Sequence, residues 1–210
     1  MSLDIHDYFP PAGPLETPVV LRALVDAHRH LAELKGVART IPNEGLLLST
    51  LSLQEAQSSS EIENIITTQD ALYRYQIQPE SVDPAGKEVA WYAQGLDVGF
   101  REVRDSGLLT LNTIRKTQAV LEGNDAGFRT TPGTVLRNER TGETVYEPPS
   151  PLEVPALMAE LEQYIHEDTA EDPLVRMAVI HHQFETIHPF YDGNGRTGRI
   201  VNILFLVRAG

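Results

Sequence analysis

Thr17-Pro18, Asp83-Pro84 and Asp172-Pro173 each set a helix-capping residue directly before a proline. The side-chain oxygen of Thr or Asp accepts from the first free amides of a helix, and proline at the first helical position gives up a donor that has no partner there. Behind each pair, apolar residues recur at helical spacing. They are Leu21, Leu24, Val25, Leu31 and Leu34, then Val89, Trp91, Tyr92, Leu96 and Phe100, then Val175 and Val179. Gly36 is expected to stop the first run. Asn43 opens a stretch through Leu46, Leu47 and Leu51 that leads into the serine-rich Ser58-Ser59-Ser60-Glu61-Ile62-Glu63-Asn64. A further helix starts near Thr110 and ends at Gly123, and another carries Leu157, Met158, Leu161, Tyr164 and Ile165. Only residues 128–147 change character. Thr134 to Leu136 and Glu143 to Tyr146, on either side of Asn138-Glu139-Arg140-Thr141-Gly142, predict a small β-hairpin. The fold class is mostly α, a helical bundle with one small hairpin. Residues 1–16, with Pro10, Pro11, Gly13 and Pro14, read as an extended arm, and 17–210 as one domain.

Composition narrows the function classes. Thirty acidic residues against seventeen basic ones leave a net charge of -13. Such a surface repels phosphate backbones, which argues against general nucleic-acid binding. The absence of cysteine removes disulfides, thiolate nucleophiles and Cys-based zinc sites together. The longest apolar stretch, Ile203 to Val207, is far short of the roughly 20 residues of a membrane span. No basic region followed by an apolar core opens the chain, so no signal peptide is read. The expectation is a soluble, acidic, cytoplasmic domain with no membrane partner.

The chemistry concentrates in His188-Pro189-Phe190-Tyr191-Asp192-Gly193-Asn194-Gly195-Arg196-Thr197-Gly198-Arg199. Pro189 biases His188 away from helical geometry, so one helix ends there and Asn194 is expected to cap the next. Gly-Asn-Gly at a helix start lets successive N–H groups point into one concavity, an anion nest. Arg196 and Arg199 are three apart and share a face, suited to further phosphate oxygens. Asp192 is an oxygen ligand of the kind Mg²⁺ shares with phosphates. His188, with a reference pKa of about 6.5, can act as a base near neutrality. Together these describe phosphoryl or nucleotidyl transfer.

The segment resembles the signature of the Fic family, His-x-Phe-x-(Asp/Glu)-Gly-Asn-Gly-Arg-x-x-Arg, at every specified position. Residues 128–149 resemble that family's flap hairpin. Ser59-Ser60-Glu61-Ile62-Glu63-Asn64 resembles its inhibitory pattern, (Ser/Thr)-x-x-x-Glu-(Gly/Asn), in the class that carries it on an N-terminal helix. The resemblance covers roughly residues 17–210, with the inhibitory region around 59–66. It implies a Fic-type bundle that moves AMP from ATP to a Ser, Thr or Tyr hydroxyl of a protein target. His188 would be the base and Asp192 the Mg²⁺ ligand. Gly193, Asn194 and Gly195 would form the nest, with Arg196 on the phosphates and Arg199 on the γ-phosphate. Phe190 would face inward, and Ser59, Glu63 and Asn64 would hold the enzyme off. The flap, through Thr134, Val135, Leu136 and Arg137, would receive the target by strand addition. Members of the family usually continue past the motif helix. Here the sequence stops at Gly210, so C-terminal helices are expected to be missing and Leu204, Phe205, Leu206 and Val207 to lack cover. A second copy of the chain, in a homo-oligomer, is a further candidate partner.

Blander readings stand beside these. His181 and His182 point about 100° apart on a helix and form no zinc set with His188, and His182 reads as a packing residue. Ser58-x-x-Glu61 and Ser60-x-x-Glu63 are also capping boxes, so Glu63 has a purely structural alternative. For function, the alternatives are a hydrolase that removes AMP at the same site and a nucleotide-binding interaction module of little turnover.

Overall fold

The structure, a computed structural model, describes residues 9, 13–42, 44–68, 70–72, 84–138 and 140–210, the side chains of 44–48 excepted. Seven helices and two strands among them are used below: α1 Pro18–Ala38, α2 Glu44–Glu61, α3 Pro84–Ser106, α4 Leu111–Glu122, β1 Leu136–Arg137, β2 Thr144–Tyr146, α5 Val154–His166, α6 Pro173–Ile187 and α7 Asn194–Ala209. The expected caps are present at Thr17 and Asp172, and Thr110, where a helix start was expected, is also a cap; their side chains accept from the Val20, Leu174 and Thr113 amides. The expected caps at Asn43 and Asp83 lie outside the described residues. α4 closes on Gly123 in the left-handed region. Gly36, by contrast, does not stop α1, which runs on to Ala38. A single glycine costs a helix only about 1 kcal/mol, too little to end it.

α3 lies at the centre, packed on α2, α4 and α7, while α6 packs on α5 and α7. Their apolar faces meet in one core around Tyr92, Leu161, Phe184, Phe190, Leu204 and Phe205. Leu204 and Phe205 are therefore covered within this chain, contrary to expectation, because α3, with Gly99 directly opposite Leu204, closes over α7. α1 buries no residue; Lys35 Nζ donates to the Gly210 carbonyl at 2.9 Å. Of the expected arm, Phe9 lies edge-on to Tyr164, and Glu16 accepts from the Asp172 amide at 2.8 Å. No described helix is long and apolar enough to cross a membrane.

The hairpin is smaller than expected. Leu136 pairs with Tyr146 and Arg137 with Thr144, with an irregularity between them. Thr134 and Val135 precede the strand and take no part in the ladder. Asn138 shortens the pairing, since its side-chain oxygen draws the Arg140 and Thr141 amides into a turn.

Candidate active site

α6 ends at Ile187 and hands over to His188, whose φ of 49° and ψ of 60° are left-handed. For a residue with a Cβ this costs about 1–2 kcal/mol. The next turn brings in Phe190, which is fully buried against Phe128 and Phe184. Gly193, with φ of 73°, then starts α7, and no side chain caps that helix. The expected cap, Asn194, is instead the first helical residue. Its side chain turns back, accepting from the Phe190 amide and donating to the Phe190 carbonyl, both at 2.9 Å. Asn194 thus ties the loop into a closed turn, and the amides at the start of α7 stay open to an anion.

The His188 ring is half-buried, and burial lowers its pKa. The Glu185 backbone carbonyl opposes that shift, the Arg129 charge adds to it, and Asp192 opposes it. Nδ1 is buried with no hydrogen-bond partner among the described residues. The net result is a neutral imidazole at pH 7, the form a base requires. Asp192 is exposed. One carboxylate oxygen accepts from the Gly193 amide at 2.8 Å, which fixes its direction toward the nest. Among the described residues no three acidic or histidine side chains gather as a metal cage. A single oriented carboxylate still fits Mg²⁺, which keeps waters and phosphates as its other ligands.

The arginines are held by carboxylates. Arg199 Nη2 donates to Glu63 Oε1 at 2.7 Å and to the Ser59 carbonyl at 2.9 Å, and Nε donates to the Ser59 hydroxyl. Arg196, expected on the phosphates, is buried among three acids: Glu63 at 3.0 Å, Glu88 at 3.2 Å and Glu122 at 2.9 Å. Burial pushes the Glu122 carboxyl above its usual range, with Arg196 opposing the shift. Glu63 therefore bridges both arginines. A Cβ at Gly195 would come within 2.5 Å of Glu63 Oε1, so the carboxylate stands at the rim of the nest.

The capping boxes do not form, because Ser58 to Ser60 lie in the last turn of α2 rather than ahead of a helix. Asn64 has φ of 61°. The Ile65 amide donates to the Ser60 carbonyl at 3.0 Å, and that of Asn64 to the Glu61 carbonyl at 3.1 Å. This pair of bonds is a Schellman closure, which needs glycine or asparagine at its left-handed position. It explains the residue after Glu63. The Tyr92 hydroxyl donates to Glu55 at 3.2 Å and lies against Ser59, the residue that also holds Arg199.

His182 is exposed on α6 rather than buried in a helix contact, a correction to its expected packing role, whereas His181 meets Asn202 at 3.2 Å. Sequence reasoning missed Glu88, Glu122, Glu185 and Arg129. Each lies outside the motif, and only folding brings it there. Glu185 sits against Gly198 with one oxygen buried and unpaired, and burial raises its pKa to about 7.

Two family models match consecutive parts of the chain: Fic/DOC family N-terminal over residues 21–101 and Fic/DOC family over residues 108–206. A probable protein adenylyltransferase of Aquifex aeolicus is 38% identical over 65 residues, which is 31% of this chain and 20% of that protein. Protein adenylyltransferase fic-1 of Caenorhabditis briggsae is 34% identical over 67 residues, 31% of this chain and 13% of that protein. The matches thus span a fifth or less of these relatives' lengths. A Fic domain containing signaling protein from Bacteroides thetaiotaomicron shares the fold with a TM-score of 0.73 at 23% identity, over 87% of this chain and 72% of that one. Fic-1 from C. elegans does so with a TM-score of 0.64 at 20% identity, over 92% of this chain and 60% of that one. With the two models covering most of the sequence and the bundle matching solved Fic domains, this chain belongs to the Fic/DOC family.

Proposed function

We propose that this domain transfers AMP from ATP to a hydroxyl of a protein target and that Glu63 restrains it. The observation that carries the reading is the uncapped start of α7 beside a neutral imidazole. His188 takes the proton of the target hydroxyl as its oxygen bonds to the α-phosphorus. The bond from that phosphorus to the bridging oxygen breaks, and pyrophosphate leaves. The α7 amides and Arg199 hold phosphate oxygens, and Mg²⁺ at Asp192 would supply positive charge there when bound. Arg196, enclosed by carboxylates, organises the rim. The exposed strand Leu136–Arg137 has an edge that no strand among the described residues pairs with, open to the target, with Thr134 and Val135 on its approach.

Labelled ATP tests this directly. Adding the domain to a cell extract should add protein label from the α-phosphate and none from the γ-phosphate beyond that of the extract alone, and His188→Ala should lose about 10²–10⁴ in rate. Added γ-label in protein, or full activity in the His188 variant, would sink the proposal. A second reading, hydrolytic removal of AMP, draws on Glu63 Oε1 beside Gly195, where a carboxylate can orient water. Release of AMP from a pre-modified protein separates the two.

A further inference from the structure

Arg129 is 2% exposed, yet it carries a charge, and among the described residues no carboxylate forms an ion pair with it. A buried charge without a counter-ion is costly unless its donors are all used, so its contacts show what that cost maintains. Nε donates to the His188 carbonyl at 2.7 Å, and Nη2 to the Pro149 carbonyl at 2.6 Å and the Ile187 carbonyl at 3.2 Å. The Arg129 amide donates to the Pro189 carbonyl at 2.9 Å. Next to it, Phe128 packs on Phe190, and the Thr130 amide donates to the Tyr191 hydroxyl at 2.8 Å. At the other end of the hairpin, the Tyr146 hydroxyl donates to the Thr186 carbonyl at 3.0 Å.

We propose that Arg129 is the positioning residue of this site, a single guanidinium that locks His188 into its left-handed turn and clamps both ends of the hairpin to it. The base comes from the end of α6, whereas the target edge comes from the hairpin. Nothing in the motif itself fixes their separation. Arg129 spans them, because its fork reaches carbonyls on α6, on the catalytic turn and on the segment that leaves the hairpin. A planar five-donor group does this, and an ammonium on a flexible stem does not. Its charge also faces the His188 ring, which otherwise meets the Glu185 carbonyl from α6 and Asp192 from the turn. Arg129 itself faces the Tyr146 and Tyr191 hydroxyls. The proposal rests on AMP transfer as the reaction, and its test keeps the two apart.

Arg129→Gln and Arg129→Lys are compared in the full chain, with His188→Ala as control. In Arg129→Gln, hydrogen exchange over residues 130–148 should accelerate, and the His188 ring, followed by NMR, should titrate at higher pH. AMP labelling should fall about 10²-fold in kcat, the usual consequence of misplacing a reacting group by about 1 Å, with KM for ATP little changed. Arg129→Lys should keep the low His188 titration while leaving the hairpin unprotected. A folded Arg129→Gln protein with normal exchange, titration and labelling overturns the proposal. Failure of both variants to fold also overturns it, by making Arg129 a residue of the core alone. If His188→Ala labels normally, AMP transfer by this site is wrong, and the exchange and titration results still decide the clamp.

Discussion

Glu63 joins the end of α2 to both motif arginines, so replacing it with glycine should release the site. The side chain is 30% exposed, and its partners Arg199 and Arg196 are 21% and 5% exposed. This shielding sets the pair above an exposed surface bridge of about 0–1 kcal/mol. A charge-assisted hydrogen bond contributes about 1.5–3 kcal/mol. If that is the preference for the closed state, and each 1.36 kcal/mol is tenfold, labelling in Glu63→Gly should rise about 10- to 150-fold. Stability should change little, because Arg196 keeps Glu88 and Glu122, and Arg199 keeps Ser59. A loss of about 1 kcal/mol would lower the melting temperature by roughly 2–4 °C in a chain of this size. The assay is transfer of α-labelled AMP to the protein itself and to an extract, measured beside thermal unfolding. Unchanged labelling with a lowered melting temperature would show that Glu63 only supports the helix end, and the restraint would be refuted.

Asn64→Gly should leave both stability and labelling near wild type, while Asn64→Ala should cost about 1 kcal/mol at its left-handed φ and raise labelling by loosening Glu63; melting curves and the same assay check this. Asp192→Asn keeps an acceptor for the Gly193 amide but removes the charge, so calorimetry of ATP binding should lose its response to Mg²⁺. For Glu185 the folded pKa of about 7 lies above the unfolded value, so the folded state binds the extra proton. Its contribution is fully present below about pH 4.3 and is lost as pH rises through about 7. Glu185→Gln should flatten that decline in melting temperature between pH 5 and 8; an unchanged slope would refute the assignment.

Much of this was legible in the sequence because it is local. A Thr or Asp before proline, Gly after Leu-Glu, and the twelve residues from His188 to Arg199 each specify a structure within a few positions. Glu63 was legible only through the resemblance of Ser59 to Asn64 to a family pattern; the reason for Asn64, its positive φ at the helix end, came from the structure. What stayed hidden depends on distant parts meeting. Glu88 and Glu122 look like ordinary solvated acids until α3 and α4 bring them to Arg196. Asn194 was misread because a residue that caps helices by propensity is used here to close its own loop, leaving the cap position to glycine. Arg129 carries no pattern at all; only the burial of its charge marks it.

The rim described above has an electrical consequence. Glu63, Glu88 and Glu122 hold two guanidiniums and Asp192 adds its charge near Glu122, so a site proposed to take a highly anionic nucleotide is negative on balance while closed. In the proposed reaction, entry of a phosphate tail and departure of the Glu63 carboxylate would be two halves of one charge exchange. Each is favoured by the other, and a divalent cation travelling with the phosphates lessens the repulsion that remains. Under the proposed restraint, Glu63 would act as a field as well as an obstruction. Its hold should weaken when salt shortens the reach of charge, even though no contact has been broken.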